Sequence, residues 1–315
     1  MHYSSNYRKA ILLCLLALAA RPALAAHESG LLWAIDGPSG RAGYLLGTIH
    51  SEDPRVLEYS KELLADLSAS RVFAMELVPD QATLAKLTTY MRLPEGRRLQ
   101  DLVGHERFAR VSEALDAYGV SAAEVQRMKP WAAMLTLSVP PPRSGLFMDF
   151  SLSLRASGAG LRVVGLETLD EQLAFLENMS KAQQIQLLDH AVAEFDQVEA
   201  VHRQLVTTYL GGDLERLRDL SRQQMQDLDP GLRDYFLHEG IEARNRRMLK
   251  ALLPLLPGGP VFVAVGALHL PGETGLIGLL RAQGFTLTPL ASPFPEASVA
   301  AGEELGHHQR QERAQ

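Results

Sequence analysis

The stretch Val261-Phe-Val-Ala-Val-Gly-Ala-Leu268 (VFVAVGAL) decides the fold of this 315-residue chain. It is the most strongly apolar run after the first 25 residues, and it is followed directly by His269. A short apolar run of this kind is typical of a strand buried on both faces. Similar runs at residues 44–48, 71–77 and 161–167 alternate with helical segments. This alternation predicts an α/β fold with a mostly parallel central sheet, covered by helices on both faces.

The segment between the last two buried strands is unusually long. From residue 168 to residue 256 the sequence is almost wholly helical and rich in Gln, Leu, Asp and Arg. That length exceeds a simple crossover between parallel strands, so we expect a large helical insertion, at about residues 171–250, before the last core strand. A single domain is predicted over residues 26–291. Residues 292–315 have little apolar content and are expected to form a disordered tail.

The first 25 residues have the pattern of an export signal. Arg8 and Lys9 precede the uncharged run at residues 10–20, and Ala23-Leu24-Ala25 supplies a small-x-small cleavage site. A run of 11 residues is too short for a bilayer, which takes about 20. We therefore expect a signal peptide over residues 1–25, a periplasmic or secreted protein, and no stable membrane span after cleavage.

Composition excludes several classes of function. The formal charge of −6 would become −9 after cleavage, because the leader holds three basic residues and no acidic one. An acidic protein of this kind is not expected to bind nucleic acid. The single cysteine, Cys14, lies in the leader, which excludes a disulfide framework and a cysteine nucleophile in the mature chain. The motifs of zincins, serine hydrolases, P-loop proteins and dinucleotide-binding folds are absent from the sequence.

Two strands end in the same tetrad. Gly47-Thr-Ile-His50 and Gly266-Ala-Leu-His269 each follow an apolar run. Ligands of open α/β sheets bind beyond the carboxyl ends of the strands, where a glycine permits close approach. Both histidines could therefore surround one ion or one reacting water. The alternative is that each is a core histidine bonded to a neighbouring carbonyl group.

Two glutamates also follow apolar strands. Glu76 comes after Val72-Phe-Ala-Met75, and Glu167 after Val163-Val-Gly-Leu166. A glutamate in such a place is costly to bury unless a cation or a donor meets it. Either residue could instead be an exposed cap of the next helix.

Three further positions have equally open interpretations. Asp149 follows two apolar residues and could be a helix cap or first-turn acid, or a functional residue. Arg244 and Asn245 lie late in a helix just before the last core strand. Arg244 could serve the helix dipole or a surface ion pair, or it could clamp an anion.

Taken in order, these motifs resemble the TraB/GumN family, which includes the Tiki-type metalloproteases. The matching pieces run along nearly the whole chain: residues 44–50, the strand ending at Glu76, Met148-Asp149, Gly165 to Thr168 with Gln172, Arg244-Asn245 with Met248, and residues 262–276. The resemblance implies an α/β fold related to erythromycin-esterase-like and ChaN-like proteins. It also implies divalent-metal-dependent peptide hydrolysis, with His50, Glu76 and His269 as the metal set. Asp149, Glu167, Arg244 and Asn245 match other family positions, and Gly47 and Gly266 belong to the two tetrads.

The resulting hypothesis is an exported hydrolase that uses a metal-activated water. Imidazole and carboxylate groups suit Mn²⁺, Co²⁺ or Zn²⁺, and such an ion activates water and polarises a carbonyl group. Glu76, Glu167, Arg244 and Asn245 would be the catalytic group. Glu167 would act as a further ligand or general base, and Arg244 would stabilise the oxyanion.

Two other classes of function stay open. The ChaN-like relatives suggest a periplasmic haem- or metal-binding protein without turnover, in which the same histidines would be ligands. The third alternative is a non-enzymatic accessory protein of the envelope or of polysaccharide export.

Overall fold

A hairpin that turns at Gly37-Pro38-Ser39-Gly40 begins the fold. The computed structural model describes residues 29–296 and begins with strands β1 (Leu32–Gly37) and β2 (Gly40–Thr48). They pair antiparallel across the turn, where Gly40 has a φ of 109° that favours glycine. Four more strands follow, β3 (Val72–Met75), β4 (Arg162–Gly165), β5 (Val261–Gly266) and β6 (Thr286–Pro289).

The six strands of the described residues form one mixed sheet in the order β4-β3-β5-β2-β1-β6. The pairs β4-β3, β3-β5 and β5-β2 are parallel, whereas β1 pairs antiparallel with both β2 and β6. The α/β prediction is confirmed, but the sheet is not all parallel. The reason is local: the tight turn between β1 and β2 makes these two strands antiparallel, and among the strands of residues 29–296 only β1 has that direction. The carboxyl ends of β2, β3, β4 and β5 therefore share one edge of the sheet.

The helices of the described residues fill the connections between the strands. The α-helices are α1 (Pro54–Leu57), α2 (Lys61–Ser68), α3 (Gln81–Tyr90), α4 (Leu99–Val103), α5 (His105–Asp116), α6 (Ala122–Val125), α7 (Pro130–Leu137), α8 (Met148–Gly158), α9 (Leu169–Glu177), α10 (Lys181–Ala193), α11 (Val198–Leu210), α12 (Leu214–Gln224), α13 (Pro230–Tyr235), α14 (Ala243–Leu252) and α15 (Leu276–Ala282). Short 3₁₀ turns cover Phe195–Gln197, Leu256–Gly258 and Ala267–His269, and a π-helix covers Phe236–Glu242 between α13 and α14.

Two apolar cores hold these elements together. The first surrounds the sheet, with Phe73 and Phe262 among its fully buried side chains. The second is helical and includes Trp131 of α7 and Leu188 of α10. Its residues come from 99–137 as well as from 169–232, so helices from before and after β4 share one core. The insertion at about residues 171–250 and the single-domain boundaries stay predictions.

The two predicted end segments lie mainly outside the described residues. This applies to the whole of the signal peptide over residues 1–25 and to residues 297–315 of the predicted tail. The first residues of that tail are described, and Phe294 is buried in the sheet core with 3% exposure. Its neighbour Pro293 accepts a backbone hydrogen bond from Ser60 at 2.8 Å. Among residues 29–296, no helix has the length and apolar character needed to cross a membrane.

Candidate functional site

The acidic residues that follow β3 and β4 meet beside the end of β5. The backbone N–H of Glu167 donates to the carbonyl oxygen of Glu76 at 2.9 Å, so the two residues extend the pairing of their strands. At the end of β5, the backbone N–H of Gly266 donates to Glu76 Oε1 at 2.7 Å. Glu76, Glu167 and Gly266 therefore lie together at this edge of the sheet. This arrangement follows from the parallel register, which brings these strand ends to one edge.

Arg244, from the first turn of α14, joins the two carboxylates. Its Nε donates to both oxygens of Glu167, at 2.9 and 3.2 Å. Its Nη2 donates to Glu167 Oε2 at 2.6 Å and to Glu76 Oε2 at 2.5 Å. The Arg244 side chain is 9% exposed and that of Glu167 is fully buried. Arg244 lies at the start of α14, not late in a helix, and the alternative of a surface ion pair is wrong because its side chain is buried. The anions that it binds are the protein's own glutamates.

The environment separates the pKa values of the two glutamates. Burial opposes ionisation of Glu76, but the adjacent His269 and Arg244, with the Gly266 N–H, outweigh it and lower its pKa to about 2. For Glu167 burial is the stronger effect, so its pKa is raised although Arg244 opposes the change. Burial also disfavours the charged form of Arg244, but the two carboxylates outweigh it and raise its pKa.

His269 lies next to this cluster in one defined tautomer. The Asn245 side-chain amide donates to the carbonyl oxygen of Thr274 at 2.8 Å, which directs Asn245 Oδ1 toward His269 Nδ1 at 2.7 Å. Nδ1 therefore carries the proton, and Nε2 presents its lone pair. Burial lowers the pKa of His269 to about 4, with Arg244 in the same direction and Glu76 opposing. The ring is neutral at pH 7, with Nε2 at 3.7 Å from Glu76 Oε1.

Gln172 is a further hydrogen-bond donor to Glu76. Its Nε2 donates to Glu76 Oε2 at 3.2 Å from the first turns of α9. That helix is capped by Thr168, whose hydroxyl accepts from the Glu171 N–H at 3.3 Å. The interpretation of Glu167 as an exposed helix cap is therefore wrong, because its neighbour Thr168 takes that role. Gln172 is one of the positions on which the resemblance rests, but its contact with Glu76 was not predicted.

The other histidine of the pattern, His50, has a different environment. Its side chain is 61% exposed, its ring stacks on Phe147 at 3.9 Å, and its Nδ1 lies 3.9 Å from Asp149 Oδ2. Asp149, in the first turn of α8, accepts from the Thr48 hydroxyl at 2.6 Å. The register of β2 and β5 sets Thr48 beside Gly266, so His50 leaves the sheet at the same edge.

The predicted metal residues do not form a ready cage. In the part of the chain from 29 to 296, no group of three or more His, Cys, Asp or Glu side chains is arranged to hold a metal ion. His269 and Glu76 are neighbours, whereas His50 pairs with Asp149 and Phe147. The catalytic and metal roles of these residues stay predictions.

Sequence reasoning missed two long-range contacts of residues 47–51. The Tyr209 hydroxyl, from α11, donates to the carbonyl oxygen of Gly47 at 2.6 Å in the core. The buried Ser51 hydroxyl lies 3.0 Å from Nε2 of His202, also on α11. Burial is the main effect on His202, whose pKa is lowered. No spacing rule links residues about 150 positions apart, so these partners had no sequence signal.

A cavity of about 580 Å³ adjoins the cluster from the helical side. It lies between α7, α10, α11 and α12 and the π-helix, and its walls are largely apolar. Arg244, Asn245 and Thr274 line it as well. The residues that hold Glu76, Glu167 and His269 therefore also form part of a ligand-sized cavity.

Comparison with known proteins gives a consistent family assignment. The model of the TraB/PrgY/gumN family matches residues 31–289. Metalloprotease TIKI2 of Danio rerio is 24% identical over 332 residues, covering 87% of this chain and 64% of the relative. Metalloprotease TIKI1 of Danio rerio is 26% identical, covering 91% and 71%. The uncharacterized protein YbaP of Shigella flexneri is 24% identical, covering 78% and 89%. The chain thus spans about two thirds of the two TIKI proteins, and no solved structure matches it.

Proposed function

The chain belongs to the TraB/PrgY/gumN family, and we propose that it is an exported, divalent-metal-dependent hydrolase of peptide bonds. The reaction would take place at the carboxyl ends of the parallel strands, beside Glu76 and His269. The observation that carries the proposal is the neutral His269, whose unprotonated Nε2 lies 3.7 Å from Glu76 Oε1. The similarity to relatives named as metalloproteases also supports the proposal.

The donor chemistry of this pair fits a divalent ion. Two lone-pair donors that face each other repel unless a proton or a cation lies between them. The Asn245 contact keeps the proton on Nδ1, which is the arrangement that metal-binding histidines commonly have. His269 and Glu76 are therefore the residues that would hold the ion, and His50, which leaves the same sheet edge, is the proposed third donor. Mn²⁺, Co²⁺ and Zn²⁺ all accept nitrogen and oxygen ligands.

A bound divalent ion would supply a water of lowered pKa and would polarise the scissile carbonyl group. The protein's own part is to hold the donors. Asn245 fixes the tautomer of His269, and Arg244 keeps Glu76 and Glu167 in place. Glu167 accepts three contacts from Arg244 and is fully buried, which favours a supporting role over that of a general base. The oxyanion role of Arg244 stays a prediction of the sequence, and in this proposal Arg244 serves to hold the two carboxylates.

Metal content and hydrolysis together test the proposal. Protein purified without chelator would be analysed for bound metal, and hydrolysis of a peptide library would be measured with added Mn²⁺ or Co²⁺. We expect His269→Ala to lose both metal and activity. His105→Ala is the matched control, because His105 begins α5 and contacts Gln100 away from the cluster.

The opposite results are informative as well. Unchanged metal content and hydrolysis in both His50→Ala and His269→Ala would refute the metal assignment. A Soret band on haem titration with no hydrolysis would favour the binding protein instead. Export is tested separately, since N-terminal sequencing of the periplasmic protein should begin at Ala26.

A further inference from the structure

We infer that the 580 Å³ cavity beside the cluster is a binding site for an apolar peptide segment, anchored through a neutral backbone carbonyl group by Arg244. The identification of this segment as substrate rests on the proposed function. The existence of the binding site rests on the cavity and on Arg244 alone.

The walls of the cavity select apolar groups. Large apolar side chains from several helices and a loop line it, including Leu187, Leu228, Phe175, Phe236 and Ile241. The volume lies within the range of about 300–1,000 Å³ that is common for ligand sites. Met134 and Met225 also line it, and methionine adapts to differing apolar shapes. Several adjacent apolar side chains of an extended peptide would fit such a surface.

The π-helix Phe236–Glu242 forms one wall and leads directly into Arg244. Residues 236, 237, 240, 241 and 242 all line the cavity. Leu237 is 36% exposed, and it also lines the cavity, so its apolar side chain is accessible to a ligand there. π-helical segments are rare and frequently occur at functional sites. This wall thus connects the apolar cavity to the polar cluster.

Arg244 has one donor nitrogen that the cluster does not use. All its hydrogen bonds to Glu76 and Glu167 come from Nε and Nη2. Within residues 29–296, Nη1 makes no hydrogen bond, and it is not among the fully buried unpaired atoms. Arg244 lines the cavity, so Nη1 is the available donor for an acceptor group of a ligand.

The local charge favours a neutral acceptor over an anionic one. Arg244 contributes one positive charge, and the carboxylates of Glu76 and Glu167 that it binds contribute two negative charges. Arg218 and Arg222 also line the cavity, but Arg218 binds Glu215, and Arg222 lies 3.6 Å from Asp219. Arg247 lies 3.7 Å from Glu167 and is 36% exposed, so solvent weakens its effect. A ligand carboxylate would be repelled at this end of the cavity, whereas a peptide carbonyl group would accept from Nη1 without that cost. This argues against a fatty acid as the ligand.

Binding is tested in a protein that cannot turn the ligand over. The background is His269→Ala without added metal, and the probe is an acetylated and amidated hexapeptide with three consecutive Leu or Phe residues. Isothermal titration would measure its Kd. Val201→Trp fills the cavity from α11, and the matched control Ala200→Trp adds the same side chain at the next, exposed position, which does not line the cavity.

We expect Val201→Trp to weaken binding about tenfold or more, and Ala200→Trp to change Kd by less than about twofold. Leu237→Asp is the second variant, since it adds a charge to the π-helix wall and should weaken binding to a similar degree. Equal Kd values for Val201→Trp and Ala200→Trp would overturn the inference. So would equal binding of a hexapeptide with Ser in place of Leu and Phe, or tighter binding of laurate than of the capped peptide. Because no turnover is measured, failure of the metal proposal leaves these outcomes unaffected.

Discussion

Replacing Arg244 with methionine should lower the free energy of unfolding by about 3–5 kcal/mol at pH 7, the usual loss when one partner of a buried ion pair is removed. Glu76 would keep the donors Gln172 and Gly266, so it loses one contact of several. Glu167 accepts three contacts from Arg244 at 2.6–3.2 Å and is fully buried. Its carboxylate would be left without a hydrogen-bonded cation. Methionine fills much of the same space, so the loss reports mainly on charge.

Arg247 offers a matched control on the same helix, one turn later. It approaches the same carboxylate, Glu167, but at 3.7 Å and with 36% of its side chain exposed. Exposed ion pairs contribute about 0–1 kcal/mol. Arg247→Met should therefore lower the free energy of unfolding by less than about 1 kcal/mol. Urea unfolding followed by circular dichroism, with EDTA present to remove metal, measures both variants.

The pH dependence of Arg244→Met gives an independent check. Burial already raises the pKa of Glu167, and loss of the guanidinium would raise it further. A carboxyl group with a raised pKa in the folded state binds more protons than in the unfolded state, so its penalty grows as pH rises. The destabilisation should therefore be smaller at pH 5 than at pH 7. A loss below about 1 kcal/mol, or one equal to that of Arg247→Met at both pH values, would refute the reasoning.

Three further changes have defined outcomes, each measured by urea unfolding. Tyr209→Phe should cost about 1–3 kcal/mol, because it removes the donor from the buried carbonyl group of Gly47; a neutral result would mean that water replaces the hydroxyl. Gly266→Ala would set a Cβ atom 3.2 Å from Glu76 Oε1 and should cost about 1–3 kcal/mol, and no loss would show that the carboxylate can shift freely. Burial lowers the pKa of His202 below 6.5, so the folded state binds fewer protons than the unfolded state between the two pKa values. The stabilising contribution of neutral His202 is thus present above pH 6.5 and is lost as pH falls below it; His202→Gln should flatten this part of the stability profile, and an unchanged profile would contradict the assignment.

The strand ends were predictable from sequence, whereas the directions of the side chains beyond them were not. Apolar runs located β2, β3, β4 and β5, and their parallel register then brought Glu76 and Glu167 together. The two Gly-x-x-His tetrads have the same spacing but different outcomes. After Gly266 the chain enters a 3₁₀ turn that buries His269 at 4% exposure, whereas His50 stays exposed on Phe147. The turn after a strand depends on what packs against it, and a tetrapeptide does not contain that information.

The partners of the site were harder to predict, because each comes from a distant helix. Arg244 reaches Glu167 across 77 positions, and His202 reaches Ser51 across 151. Residue type gave only a general expectation, that a buried glutamate needs a donor or a cation. Which arginine supplies it depends on how α14 packs against the strand ends. Among neighbouring arginines of one helix, Arg244 is buried and Arg247 is 36% exposed, a difference that composition alone does not define.

One charge count connects the two proposals while leaving them separately testable. With both carboxylates ionised, Arg244 neutralises only one of them, and His269 is neutral, so the group then has a net charge of −1. A net negative charge with a free imidazole nitrogen favours a cation at His269 Nε2 and Glu76 Oε1. The same charge disfavours an anionic ligand at Arg244 Nη1, on the cavity side. The proposed metal site and the proposed ligand donor, Arg244 Nη1, are different atoms. A variant of His269 can therefore remove metal without closing the cavity, and a variant of Val201 can close the cavity without removing metal.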